Sequence, residues 1–272
     1  MPTTRLDPVP RVRAPLSGSW RMLVTPSASG AENMALDHAL MERARRTGER
    51  CLRVYGWRTP TLSLGRHQAA RGRIDPARAG SLGVSLVRRP TGGRALLHHR
   101  EVTYSVTAPL DRGDSVREWY DAINSVLLDA LRRLGVNAMV AGLNGRTPAP
   151  SAASCFAQPD AGEITVGGRK LVGSALLREH GTLLQHGSIL LDDDQQLLDQ
   201  ILPAGELRPE PAGTLRQALG QAPPMDAVAD ALKAALSASG EVTVSVLESE
   251  PRLEAEMRAA ERLYGSEEWT FR

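Results

Sequence analysis

The chain has 272 residues, long enough for one or two domains and for a sizeable buried core. Hydrophobic residues make up 42% and charged residues 24%, which excludes a wholly disordered, collagen-like or disulfide-framework protein. A net charge of +2, from 33 basic and 31 acidic residues, does not indicate a nucleic-acid stripe, and no run of about 18 apolar residues marks a membrane span.

The first residues carry charges but no continuous apolar segment, so they do not read as a secretory signal, and a cytoplasmic location is expected. Two cysteines, Cys51 and Cys155, cannot form a scaffold and are expected as free thiols. Among the 33 basic residues only Lys170 and Lys233 are lysines. Guanidinium and ammonium are chemically unlike, so a lysine that remains in so arginine-biased a chain is a candidate for a role arginine cannot fill.

Residues 1–18 hold prolines and arginines without pattern and are expected to form a flexible arm, leaving 19–272 as one domain with a helical C-terminal region. Residues 20–24 form a short strand candidate, 26–30 a turn, and 33–45 a helix in which Met34, Leu40, Met41 and Ala44 fall near helical spacing. Strands are expected at 51–57, 61–64, 84–88, 95–98 and 102–107. Residues 115–134 give the strongest helix signal, opened by Ser115 and Glu118 in the S-x-x-E capping pattern and stopped at Gly135. Residues 142–153, rich in Gly, Pro, Ala and Ser, read as a loop that delivers Cys155. A hairpin follows over 163–172 with Gly167-Gly168 as its two-residue turn, then a strand at 182–191. The remainder is mostly helical, at 195–202, 214–219, 226–238 and 254–263, with one strand at 242–247. Strands that cluster before residue 192 without regular helix alternation predict an α+β fold: mixed, largely antiparallel sheets with helices packed on them.

Four segments carry chemistry. In Arg88-Arg89-Pro90-Thr91-Gly92-Gly93-Arg94, followed by Ala95 to His99, paired glycines between strands allow close backbone approach to an oxygen-rich ligand; the same pattern also fits a tight hairpin with solvated arginines. Cys155 ends a loop, where reactive groups concentrate, although a free cysteine is commonly a small buried hydrophobe. In the hairpin, Val166 is expected opposite Arg169 and Thr165 opposite Lys170. Strict alternation then puts Thr165, Lys170, Val172 and Ser174 on one face. An ammonium near a thiol favours the thiolate and can hold a developing oxyanion; taken alone, a lysine beside a turn reads as a surface residue. The fourth segment is Gln185-His186-Gly187-Ser188. The six histidines show no metal-ligand spacing, so no metal site is expected, and Cys51, among apolar neighbours, reads as packing.

Taken together these stretches resemble the biotin/lipoate A/B protein ligase family, and within it the lipoyl/octanoyl transferase branch. The matching strings are NMALDHAL at 33–40, LRVYGWRTPTLSLGRHQ at 52–68, RRPTGGRALLHH at 88–99, EVTYSV at 101–106, SCF at 154–156, GGRKLVGSA at 167–175, LLQHGSILLD at 183–192 and YGSEEWTF near the C-terminus. The resemblance implies the biotin/lipoate protein ligase catalytic fold and an octanoyltransferase with no cofactor. Octanoyl would pass from octanoyl-acyl carrier protein to a lysine of a lipoyl domain, such as glycine cleavage H protein, with neither nucleic acid nor membrane as partner. It assigns the nucleophile to Cys155 and the thiol-activating cation to Lys170. Arg88, Thr91, Gly92, Gly93, His98, Gly173, Ser174, His186 and Gly187 are expected to line the acyl slot, and Arg88, Arg89 and Arg94 to present a basic face to acidic partner domains. His38 and His99 stand where the family pattern carries acidic residues. Three alternatives are an ATP-dependent lipoate–protein ligase, an amidotransferase working between lipoyl domains, and a non-catalytic acyl-carrier-binding protein.

Overall fold

The computed structural model describes residues 15–141, 162–202 and 211–272. Cys155, the 142–153 loop and most of the expected N-terminal arm lie outside them. Of that arm, Leu16 is buried and accepts a hydrogen bond from the Trp20 indole at 2.8 Å.

The first strand, β1 (Gly18–Val24), is followed by helix α1 (Gly30–Thr47). Ser29 caps this helix and Glu32 reaches back to the Ser29 backbone, completing a capping box at the point where the sequence suggests only a turn. Next come β2 (Arg50–Tyr55), β3 (Thr61–Leu64), α2 (Pro76–Ser81), β4 (Ser85–Arg88), β5 (Leu96–His98) and β6 (Glu101–Pro109). Helix α3 (Val116–Arg133) has Ser115 as its N-cap and buries Trp119, Ile123, Val126, Leu127, Ala130 and Leu131 along one face, as its apolar periodicity predicts. The sheet then gains β7 (Ala138–Val140), β8 (Ile164–Val166), β9 (Arg169–Glu179) and β10 (Thr182–Leu190). Residues Gln195–Gln200 form a 3₁₀ turn, then α4 (Leu215–Leu219), α5 (Met225–Ala238), β11 (Val242–Val246), α6 (Pro251–Tyr264) and α7 (Glu267–Thr270) complete the order. The short elements α2, β7 and α7 leave too few residues for a period to show in the sequence.

One sheet has eight strands in the order β11-β1-β2-β6-β10-β9-β8-β7, and a second has three, β4-β3-β5. Pairing is antiparallel except for β1 with β11, β1 with β2, and β3 with β4. The expectation of a mixed, largely antiparallel α+β fold is met. Helices α1 and α6 pack on one face of the large sheet, while α3 and α5 share the main apolar core on the other. The central strand β10 is buried along its whole length because both of its faces are covered.

The Gly167-Gly168 turn has φ of 56° and 76°, the left-handed pair a two-residue hairpin requires. Thr165 pairs with Lys170 and Val166 with Arg169 as expected, but the register shifts at the next step, so Ile164 meets Val172. This bulge corrects the face assignment. Lys170 stays on the face of Thr165 and Glu163, whereas Val172 and Ser174 share the opposite face with Ile164. The same shift puts Lys170 on the side of the sheet that carries Gly173 and Ala175.

At Gly187 of β10 a Cβ would lie 2.5 Å from the Gly173 carbonyl oxygen and 2.8 Å from the Tyr104 ring. Gly187→Ala is expected to destabilise the protein by about 1–3 kcal/mol through overpacking. Urea unfolding checks this as a lowered midpoint at unchanged slope.

Candidate functional site

The large sheet offers two cross-strand rows toward α1. One runs Arg53–Ser105–His186–Ala175 across β2, β6, β10 and β9; the other runs Tyr55–Thr103–Ser188–Gly173. Alternation along each strand aims both rows at the same side. A cavity lies over them, bordered also by Met34 of α1, Trp57 and His98, and by Arg89 and Gly93 of the β4–β5 connection.

A buried polar helix face meets the first row. Asp37 of α1 is fully buried, and each of its oxygens has two partners. Oδ1 accepts from Arg53 Nη1 at 2.7 Å and Ser105 Oγ at 2.8 Å; Oδ2 accepts from the Tyr55 hydroxyl at 3.0 Å and His186 Nδ1 at 3.1 Å. Burial pushes the Asp37 carboxyl upward, but the Arg53 charge and the His186 and Ser105 hydrogen bonds outweigh it and hold the group below the ordinary carboxylate range. Burial holds the Tyr55 phenol well above its usual value, so it stays a donor. His186 is pushed down by burial, only partly offset by Asp37. A neutral imidazole beside a carboxylate donates from Nδ1, which leaves Nε2 to accept the Thr91 hydroxyl at 2.6 Å.

A second chain lies over the other row. His98 stacks on Trp57 at 4.0 Å between ring centroids. Its Nδ1 meets Glu101 Oε1 at 2.8 Å and its Nε2 meets Ser63 Oγ at 2.8 Å. The Trp57 indole donates to Thr103 at 2.7 Å, and Thr103 donates to Glu101 at 2.5 Å.

Of the residues expected at the site, Gly93, His98, Gly173, Ser174, His186 and Gly187 all border this cavity. Ser174 hydrogen-bonds the Tyr104 hydroxyl at 2.8 Å. Thr91 is buried behind His186, and the Gly92 carbonyl accepts two hydrogen bonds from Arg89 at 3.1 and 2.8 Å. Lys170 is buried and ion-paired with Glu163 at 2.5 Å, three residues before Gly173 on the same strand. Cys155 lies outside the described residues. Burial pushes the Cys51 thiol up to about 12, so it behaves as the packing residue its neighbours suggest.

Two expectations need correction. Thr91, held by His186, and Gly92, held by Arg89, lie outside the cavity lining, and so does Arg88. Its guanidinium donates to the carbonyls of Trp269 and Thr270 at 3.0 Å, Gly65 at 2.6 Å and Gln68 at 2.7 Å, and so fastens α7 to the segment after β3. Nor is there a basic face of three arginines: Arg88 and Arg89 are 0% and 4% exposed, because their donors are turned inward onto backbone carbonyls. Arg94 is half-buried. The family-pattern departures sit apart: His99 pairs with Asp194 at 2.7 Å on the surface, and His38 meets the Tyr264 hydroxyl at 3.1 Å.

Asp37, Arg53, Tyr55, Ser63 and Glu101 were not anticipated. The available signal was polar residues at i and i+4 on a helix face, Asn33 and Asp37, in line with apolar ones. Among the described residues, no three His, Cys, Asp or Glu side chains gather as a metal site, and no helix is long and apolar enough to cross a membrane.

This fold and cavity define a lipoyl-ligase-type catalytic domain: residues 29–237 match the Lipoyl protein ligase A/B catalytic domain, and the chain belongs to that family. It is similar to octanoyltransferase LipM of Kyrpidia tusciae, 40% identical over 273 residues that cover 93% of this chain and 99% of that protein. It is also similar to octanoyltransferase LipM of Bacillus subtilis, 33% identical with 93% and 98% covered. In fold it resembles lipoate-protein ligase A bound with ATP (TM-score 0.76, 24% identity, 94% and 98% covered). The putative lipoate protein ligase Ta0514 of Thermoplasma acidophilum with bound lipoic acid is also similar in fold (TM-score 0.75, 23% identity, 94% and 100% covered).

Two predictions follow from these contacts. Because burial lowers the folded-state value of His186, the unfolded chain binds the extra proton. This contribution to stability is complete above the ordinary value of 6.5 and is lost as the pH falls through the lower folded one. Asp37 acts only below its ordinary 3.8, so the windows separate. Urea midpoints between about pH 7.5 and 5 should fall in the wild type and flatten in His186→Gln. Arg88→Lys keeps the charge but leaves carbonyls unpaired; it should lower unfolding free energy by about 1–3 kcal/mol in the same assay.

Proposed function

We propose that this chain is an octanoyltransferase of lipoate biosynthesis, acting as one catalytic unit over residues 19–272. In this proposal octanoyl-acyl carrier protein is the donor and a lipoyl-domain lysine, such as that of glycine cleavage H protein, is the acceptor. The observation that carries it is the 40% identity, over 99% of its length, to an octanoyltransferase, in a chain that keeps a buried, ion-paired Lys170 beside the cavity strand.

The Cys155 thiolate attacks the octanoyl carbonyl carbon. A new carbon–sulfur bond forms, the bond to the carrier's sulfur breaks, and the carrier leaves as a thiolate that takes up a proton. Exchange of one thioester for another is near energetic balance, so no nucleotide is required. The acceptor amine then attacks the same carbonyl; an amide forms, the amine proton goes to solvent, and the Cys155 thiolate returns. Lys170, fixed by Glu163, supports the thiolate and the developing oxyanion. Its burial fits this role, because a charge held away from water acts more strongly on its neighbours. The apolar cavity wall of Met34, Trp57 and Leu96 suits an alkyl chain, at about 0.8 kcal/mol for each buried methylene.

Intact mass after mixing the protein with octanoyl-acyl carrier protein, without ATP, should show one octanoyl adduct removed by hydroxylamine and missing in Cys155→Ala. Product formation that needs ATP and survives Cys155→Ala would instead identify a ligase. Lys170→Arg should slow adduct formation by about tenfold or more, since a planar fork cannot replace the ammonium. Wild-type acylation in that variant would remove Lys170 from the mechanism.

A further inference from the structure

The cavity is built from two parts that must be held together. Its floor is the large sheet, while part of its wall, Arg89 and Gly93, belongs to the connection between β4 and β5 of the small sheet. Within that connection Arg89 ties the turn to itself through the Gly92 and Arg94 carbonyls, and Arg66 N–H binds the Thr91 carbonyl at 2.8 Å. These contacts shape the turn without attaching it to the floor. Thr91 makes that attachment: its hydroxyl meets His186 on β10, and His186 is in turn held by Asp37 on α1.

We propose that Asp37 is a positioning residue, which acts through His186 and Thr91 to seat the Thr91–Gly92–Gly93 turn on the cavity wall. Three features carry this. Asp37 has a donor for every lone pair, so the imidazole has one orientation open to it. That orientation leaves one acceptor, Nε2, pointed at the turn, and the Thr91 hydroxyl fills it at 2.6 Å. Thr91 is fully buried and is not part of the cavity lining, so its hydroxyl is a tether rather than an attacking group. The parallel chain Glu101–His98–Ser63 joins β6 to β5 and β3 by the same carboxylate, imidazole and hydroxyl sequence. The floor therefore holds the small sheet at two places.

The inference concerns the site of the proposed transferase, but its main test needs no substrate. Thr91→Val keeps the shape and deletes the hydroxyl, whereas Thr91→Ser keeps it. Hydrogen exchange of the peptide spanning residues 89–95 should quicken about tenfold in Thr91→Val, the size of one buried hydrogen bond, and return to the wild-type rate in Thr91→Ser. The ¹⁵N signals of His186 should show the proton on Nδ1 in the wild type and a mixture of tautomers in Asp37→Asn. With octanoyl-acyl carrier protein, Thr91→Val should raise KM more than it lowers kcat. Unchanged exchange in Thr91→Val, equal exchange in the Val and Ser variants, or a wild-type proton on Nε2 overturns the proposal. If Asp37→Asn does not fold, the Thr91 pair still decides it. A failure of octanoyl transfer with the exchange result intact would overturn the functional proposal alone.

Discussion

A carboxylate without access to water organises this molecule. Asp37 projects from α1 into a row of donors supplied by strands that are far apart in sequence: Arg53 from β2, Ser105 from β6 and His186 from β10. Burying such a charge is unfavourable unless its hydrogen bonds are complete, and here they are. Removing one partner would leave charge or donors orphaned, so the helix, three strands and Tyr55 are fixed to one another with a specificity that apolar packing alone does not impose.

The cavity is a consequence of that arrangement. The same face that satisfies Asp37 carries Gly173, Ser188 and Thr103 in the next row, and Trp57 closes the end by stacking on His98. Small residues on β9 and β10 leave room where larger ones would fill the space, and the small sheet contributes the wall. Polar groups at the boundary are paired inward, so the surface left for a ligand is mainly aliphatic and aromatic. Such a pocket discriminates by shape and apolar contact; in the proposed transferase the chemistry is assigned to Lys170, farther along β9, and to Cys155.

Periodicity made much of this legible. The α3 stripe, the Gly167-Gly168 hairpin and the strand cluster before residue 192 can be read because each depends on local rules. The 88–99 and 167–175 strings supply Gly93, His98, Gly173 and Ser174 to the cavity border. Local rules failed where a long-range partner decided the outcome. Arg88 and Arg89 look like solvated or ligand-binding cations, yet they are buried because carbonyls from β3, its following loop and the last helix converge on them. Strict alternation failed at Leu171 because the β8–β9 register slips by one residue. Asp37 was invisible as a hub because its partners come from residues 53, 55, 105 and 186.

The sequence by itself determined the longer elements, the apolar stripe of α3 and the hairpin turn, since these follow from spacing and residue type within short windows, and its motif strings carried the resemblance to the family. Tertiary structure alone decided which polar residues are buried, which histidine nitrogen faces which partner, and which arginines turn their donors inward onto backbone carbonyls. The physical reason is that burial and hydrogen-bond completion are properties of atoms brought together across the chain, and no window of neighbouring residues contains them.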